Sequence, residues 1–172
     1  MAFSDLRYCP RCAGRLEWRA FQYSDVHHPV CTNCGFILWQ NPKPCVDALI
    51  IRGNGARVEV LLGRRLAEPY SGLWDIPGGF LNVGDHLEET LVRECKREMD
   101  IEVAVQELIG AFDDMFFDTQ IVTLIFACKI VSGEPRAADI IDEVKWFSLF
   151  EPPPTTPVIS QAIAKLNRHM TK

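Results

Sequence analysis

Between Gly78 and Ile101 a glycine bend feeds an acidic helix, and this stretch constrains the fold more than any other part of the chain. Pro77-Gly78-Gly79 breaks regular structure, and Gly84-Asp85 supplies a turn residue and a capping carboxylate that start a helix. From His86 onward Leu87, Leu91, Val92, Cys95 and Met99 recur on one arc at helical period, so that arc packs on a core. Glu94 and Glu98 stand four apart at the edge of the arc. Two carboxylates about 4 Å apart, at an effective dielectric of roughly 20, repel by about 4 kcal/mol, so the pair needs a cation or a shared proton. A hard divalent ion such as magnesium satisfies both. Surface pairing with Arg93, Lys96 or Arg97 is the other reading, and helical period alone leaves the two open.

A second constraint lies at the amino end. Cys9-Pro10-Arg11-Cys12 is followed, after eighteen intervening residues, by Cys31-Thr32-Asn33-Cys34-Gly35. Paired Cys-x-x-Cys knuckles at this separation match a four-thiolate zinc site, and Gly35 permits the positive φ that such a turn needs. Redox pairs and disulfides are the alternatives. His27 and His28 lie between the knuckles and are read as exposed loop residues, while Cys45, Cys95 and Cys128 sit in apolar surroundings and read as buried. About forty residues bury too little apolar surface to fold unaided, so the metal staples the ribbon.

Charge argues against a nucleic-acid partner. Arg7, Arg11, Arg15 and Arg19 face Asp5, Glu17 and Asp25 in the ribbon, and the chain carries a net charge of −5. Tyr8, Trp18, Phe21, Tyr23, Phe36 and Trp39 are expected to pack rather than to stack bases. No apolar run reaches the roughly eighteen residues of a membrane span. No secretory leader is read, and four metal-bound plus three free cysteines suit a reducing cytoplasm, the expected location.

Two units follow from this: a zinc ribbon over residues 1–40 and an α/β domain over 41–172, joined at Gln40-Asn41-Pro42-Lys43-Pro44. Strands are expected at Val46–Arg52 and Val58–Arg64 around Gly53-Asn54-Gly55, then at Glu102–Phe112, Gln120–Val131 and Val144–Phe147. Pro152-Pro153-Pro154 precedes a last helix near Val158–Met170, with Ile159, Ile163 and Leu166 on one face. A mixed β-sheet sandwiched between α-helices accounts for this order.

The acidic segment resembles the signature of the Nudix hydrolases, G-x5-E-x7-R-E-U-x-E-E-x-G-U, with U aliphatic. Gly79, Arg93-Glu94, Cys95, Glu98 and Ile101 match it; Asp85, Arg97 and Asp100 depart from it. Gly72-Leu73-Trp74-Asp75-Ile76-Pro77, Asn41-Pro42-Lys43 and Asp142-Glu143-Val144-Lys145-Trp146-Phe147 extend the resemblance to Nudix proteins that carry an amino-terminal zinc ribbon, which act on flavin adenine dinucleotide (FAD), ADP-ribose or NADH. The S-Q-P-W-P-F-P hallmark of the NADH pyrophosphatases is absent, and no proline follows the box at the spacing of ADP-ribose enzymes.

The resemblance implies the Nudix fold and hydrolysis of a pyrophosphate bond in a nucleoside diphosphate derivative, with structural zinc and catalytic magnesium or manganese. It implies that Glu94, Glu98 and the Gly78 carbonyl hold the catalytic metal and that Arg93 orients the helix carboxylates. Arg97, a cation that cannot be deprotonated, replaces a box glutamate, which implies fewer ions and weaker or narrower activity. A loop carboxylate from Asp113, Asp114, Asp118, Asp139 or Glu143 would assist, Glu143 being the choice. Arg64 and Arg65 are candidates for substrate phosphates, and Trp74, Phe80 and Phe116 for a base. His86 is not read as a general base. A silent nucleotide-binding module is the rival reading and a ribbon-based nucleic-acid or protein adaptor a third. Many relatives pair, so a homodimer stays open, although no seam in the sequence marks one.

Overall fold

The computed structural model describes residues 6–21 and 24–170. Contacts divide the chain into Met1–Pro42 and Lys43–Lys172.

In the first unit β1 (Leu16–Phe21) and β2 (Ser24–Cys31) form an antiparallel hairpin that pairs Leu16 with Cys31. Two tight turns flank it. The Cys9 amide donates to the Gly14 carbonyl at 2.8 Å, and the Gly35 amide to the Cys31 carbonyl at 3.1 Å. Gly35 has φ +70°, the conformation anticipated for it. Among the described residues, the buried apolar core here is Cys9, Leu16 and Cys31, with Leu6 and Phe36 packed against it. Within this unit Tyr8, Trp18 and Trp39 are exposed and Phe36 is half-buried. The Phe21 side chain and Tyr23 lie outside the described residues. His27 and His28 stand on β2 rather than in a loop, and His28 is buried with its ring edge-on to Trp39 at 4.9 Å.

The second unit is a seven-stranded mixed sheet between two helices. Its strands are β3 (Lys43–Arg52), β4 (Glu59–Arg65), β5 (Trp74–Asp75), β6 (Gly78–Phe80), β7 (Glu102–Phe116), β8 (Thr119–Ser132) and β9 (Ile141–Ser148). β3 runs parallel to β8, and the other pairings are antiparallel. Alternation along β3 explains the sandwich. Val46, Ala48 and Ile50 face helix α1 (Leu87–Met99) with Leu91, Cys95 and Met99, while Leu49 turns to α2 (Pro157–Met170) with Val158, Ile159 and Ile163. Each fully buried Leu or Ile contributes about 1.5–3 kcal/mol.

Several expectations shift. β3 begins at Lys43, so Pro44 lies within a strand rather than in a linker. Pro77-Gly78-Gly79 reads as a break, but Gly78–Phe80 is a short strand paired with Cys45–Asp47. Helix α1 starts at Leu87, and Asp85 does not cap it: its carboxylate accepts from the Asn82 amide at 3.1 Å and from Arg93 Nη2 at 3.2 Å. Leu87 is exposed and does not join the buried arc of Leu91, Cys95 and Met99. Asp100 closes the helix in the left-handed region at φ 54°, where the signature carries glycine, and its amide donates to the Cys95 and Lys96 carbonyls. Asp is among the few side chains that tolerate this conformation, so the departure leaves the cap intact.

Candidate active site

Short-range chemistry builds the ribbon site first. The Sγ atoms of Cys9, Cys12, Cys31 and Cys34 all lie within 4.8 Å of one another, and among the described residues no other group of three or more His, Cys, Asp or Glu side chains gathers so closely. Zinc–sulfur bonds of about 2.3 Å give a tetrahedron with edges of about 3.8 Å. The Cys9–Cys34 and Cys12–Cys31 edges measure 3.8 and 3.5 Å. Amides support the sulfurs: Arg11 N donates to Cys9 Sγ at 3.4 Å and Cys34 N to Cys31 Sγ at 3.5 Å, and the Cys34 amide holds the Cys31 thiol down to about 6. A Cβ on Gly14 would come within 3.0 Å of Cys31 Sγ, so glycine leaves room for the cluster. The four thiols fit one tetrahedral metal ion of the zinc-ribbon type.

The second site is a cleft of about 470 Å³, walled by β6, by the carboxylate edge of α1, and by Asp47, Arg65, Asp114 and Phe116. Glu94 and Glu98 are both buried there, at 8% and 3% exposure, although charged side chains seldom are. The glycines of β6 make the close approach possible. A Cβ at Gly78 would fall 2.0 Å from Asp47 Oδ1, and one at Gly79 would fall 3.1 Å from Glu94 Cδ. The Gly78 amide points at Glu98 Oε2 from 3.4 Å. Burial pushes the Glu98 carboxyl up to about 7 against the opposing pull of Arg97.

Arg97 spans the two glutamates. Its Nε donates to Glu94 Oε2 at 2.7 Å and its Nη2 to Glu98 Oε1 at 2.8 Å, while Nη1 pairs with Asp139. Arg93 Nε reaches Glu94 Oε1 at 3.3 Å. The surface-pairing alternative thus describes this arrangement in part, with one difference: the acids are buried and the arginines are not.

Other candidates separate. Phe80 and Phe116 line the cleft edge-to-face at 5.4 Å. Arg65 lines it too, with Nη1 on Asp75 at 3.0 Å and Nε on the Pro69 carbonyl at 3.1 Å. Arg64, one residue earlier on β4, points to the other side. It is held by Asp142 at 2.9 Å and Glu143 at 3.2 Å, and neither Arg64 nor Glu143 lines the cleft. Strand alternation separates these two from the site. Trp74 is likewise withdrawn, packed edge-on against Phe147 at 4.6 Å in the core beneath α2. Of the carboxylates expected on loops, Asp113 and Asp114 stand on β7 and Glu143 on β9; Asp114 lines the cleft, and Asp139 meets Arg97.

Three residues in the cleft wall escaped sequence reasoning. Asp47 is half-buried on β3, and burial together with Asp75, Glu98 and Asp114 raises it well above the usual carboxylate range. Asp75 accepts from the Ile76 amide at 2.9 Å and from Thr156 Oγ1 at 3.1 Å, and burial raises it despite Arg65. Tyr70 donates its hydroxyl to the Met115 carbonyl at 3.3 Å. An acid inside the apolar run of β3 was the available signal for Asp47.

A mixed sheet between two helices, with a glycine strand against buried helix glutamates, is the Nudix fold. The chain matches the NUDIX domain over residues 41–166 and belongs to that family. Over 114 residues it is 31% identical to an ADP-ribose pyrophosphatase of Methanocaldococcus jannaschii, an alignment covering 65% of each chain. It is 32% identical over 152 residues to the NAD-capped RNA hydrolase NudC of Pseudomonas aeruginosa, covering 86% of this chain and 50% of that one. This chain therefore spans between half and 65% of the length of these curated relatives. A NUDIX hydrolase from Nitrosomonas europaea superposes with TM-score 0.76 at 25% identity, over 96% of this chain and 91% of the other. No helix among the described residues is long and apolar enough to cross a membrane.

Proposed function

We propose that this chain hydrolyses a pyrophosphate bond in a nucleoside diphosphate linked to a second moiety, releasing a nucleoside monophosphate. The carrying observation is the pair of buried glutamates set against the glycine strand. Glu94, Glu98 and the Gly78 carbonyl would hold one hard divalent cation, magnesium or manganese, and four thiolates would hold zinc in the ribbon. When bound, the cation would polarise a phosphoryl oxygen and lower the pKa of an attacking water.

The chain's own groups divide the remaining work. Arg93 ties Glu94 to Asp85 and so orients the helix carboxylates. Phe80 and Phe116 offer an apolar edge for a base, and Arg65 adds positive charge at the wall. Asp114 replaces Glu143 as the carboxylate available to the reacting water, because it faces the cleft.

The names of the relatives supply the substrate panel: ADP-ribose and NAD-capped RNA, with FAD, other dinucleotides and nucleoside triphosphates beside them. With manganese present, wild type is expected to release a monophosphate from at least one diphosphate-linked substrate, and Glu98→Gln to abolish that release. Arg97 bridging both glutamates favours one second reading, a nucleotide-binding module without turnover. Substrate binding without product in wild type, converted to turnover by Arg97→Glu, would establish that second reading.

A further inference from the structure

Asp139 is placed with more care than a loop residue requires. The segment after β8 folds back onto the carboxyl end of α1: the Arg136 amide donates to the Met99 carbonyl at 2.9 Å and the Ala138 amide to the Glu98 carbonyl at 3.1 Å. Gly133, at φ +88°, admits this approach, since a Cβ there would lie 2.7 Å from the Asp100 carbonyl oxygen. Asp139 then takes φ 51°, a left-handed conformation tolerated by few side chains, and its carboxylate meets Arg97 Nη1.

One guanidinium therefore serves three carboxylates, on Glu94, Glu98 and Asp139. The first two are also the metal-binding pair of the proposed function, and a divalent cation that takes Glu94 Oε2 and Glu98 Oε1 must displace the guanidinium that now holds them. Arg97 is 45% exposed, so its head group has room to leave. A cation on the glutamates repels it, and Asp139 is the one of its three partners not engaged by that cation. We propose that Asp139 is a positioning residue that draws the Arg97 guanidinium away from Glu94 and Glu98, so that a divalent cation can take them. This inference rests on the metal-site reading.

Manganese binding to the zinc-loaded protein, followed by the electron paramagnetic resonance signal of free Mn2+, tests this without reference to turnover. Asp139→Asn, which keeps a residue that tolerates positive φ, is expected to weaken manganese binding on the order of tenfold. Arg97→Gln is expected to tighten it by a similar factor, also about tenfold, because the competing cation is gone. The decisive signature is coupling. In the Arg97→Gln background, Asp139→Asn is expected to change affinity by less than about twofold, and Asp139→Glu is expected to restore part of the loss in the wild-type background. An equal loss from Asp139→Asn with and without Arg97, or no loss in either, overturns the inference. If Glu98→Gln leaves manganese binding unchanged, or if no variant binds manganese, the metal-site reading itself fails, and that outcome is distinct from the first.

Discussion

The ribbon and the Nudix domain hold themselves together by different means. Residues 6–42 bury a core of Cys9, Leu16 and Cys31, two of whose members are thiols of the metal cluster. Residues 43–170 bury apolar clusters on both faces of a sheet. The contrast extends to their candidate metal sites. Four thiols converge on one another within 4.8 Å, whereas Glu94 and Glu98 are bridged by a cation of the chain's own, Arg97. Structural zinc sites are closed around the ion, whereas catalytic sites keep an open position for water or substrate.

The largest test of that contrast is removal of zinc. Chelation, or Cys31→Ser, is expected to unfold residues 6–42 outright, since structural zinc supplies on the order of 10–16 kcal/mol in domains of this kind. Amide exchange should show full loss of protection on β1 and β2 with protection kept on β3 and β8. Protection surviving on β1 would mean that the ribbon core suffices without the ion.

Next in size is the apolar core of the second unit. Leu91 is fully buried beneath the sheet, and Leu91→Ala should cost about 2–5 kcal/mol in denaturant unfolding while leaving the zinc content of the ribbon unchanged. Loss of zinc in that variant would show that the two units do not stand separately.

The carboxylate site carries a pH signature of similar or smaller size. Glu98 titrates ordinarily near 4.5 and is pushed by burial up to about 7, so the folded chain binds this proton more tightly than the unfolded one. Stability of the metal-free protein is therefore expected to fall as pH rises from about 4.5 through about 7, with Glu98 contributing about 3 kcal/mol at most. Glu98→Gln should reduce that slope, and the raised Asp47 and Asp75 carboxyls account for the part that remains. Manganese affinity should move oppositely, rising across the same window as the proton leaves. A rise in stability with pH over this interval would contradict the burial argument.

The smallest effect is expected from Arg64→Ala and Glu143→Gln. Both belong to a partly exposed ion-pair group outside the cleft, where such pairs contribute about 0–1 kcal/mol. Turnover in either variant should stay within about twofold of wild type. A hundredfold loss in Glu143→Gln would return the assisting carboxylate to β9 and displace Asp114.

Much of the fold was legible because it rests on short-range chemistry. Glycine at 35 met a positive φ, and the helical arc of Leu91, Cys95 and Met99 met the core. Cys45, Cys95 and Cys128 are buried as their apolar neighbours implied. Placement departed from expectation where a residue's neighbour lies far along the chain. Trp74 looked available beside the glycine turn, yet its partner Phe147 comes from β9. Glu143 looked suited to the site, yet register with β4 sets it against Arg64. Asp47 drew no notice in an apolar strand until β6 brought Gly78 against it.

Spacing within a few turns of chain was enough to mark the thiol cluster, the acidic helix and the glycine bend, because each is a property of residues that are near in sequence. Which carboxylates share a cleft, and where the head of Arg97 comes to rest, were decided by the packing of β6, α1 and the segment around Asp139. Those distances are set by sheet register and loop return, which couple residues far apart along the backbone and leave no local period to read.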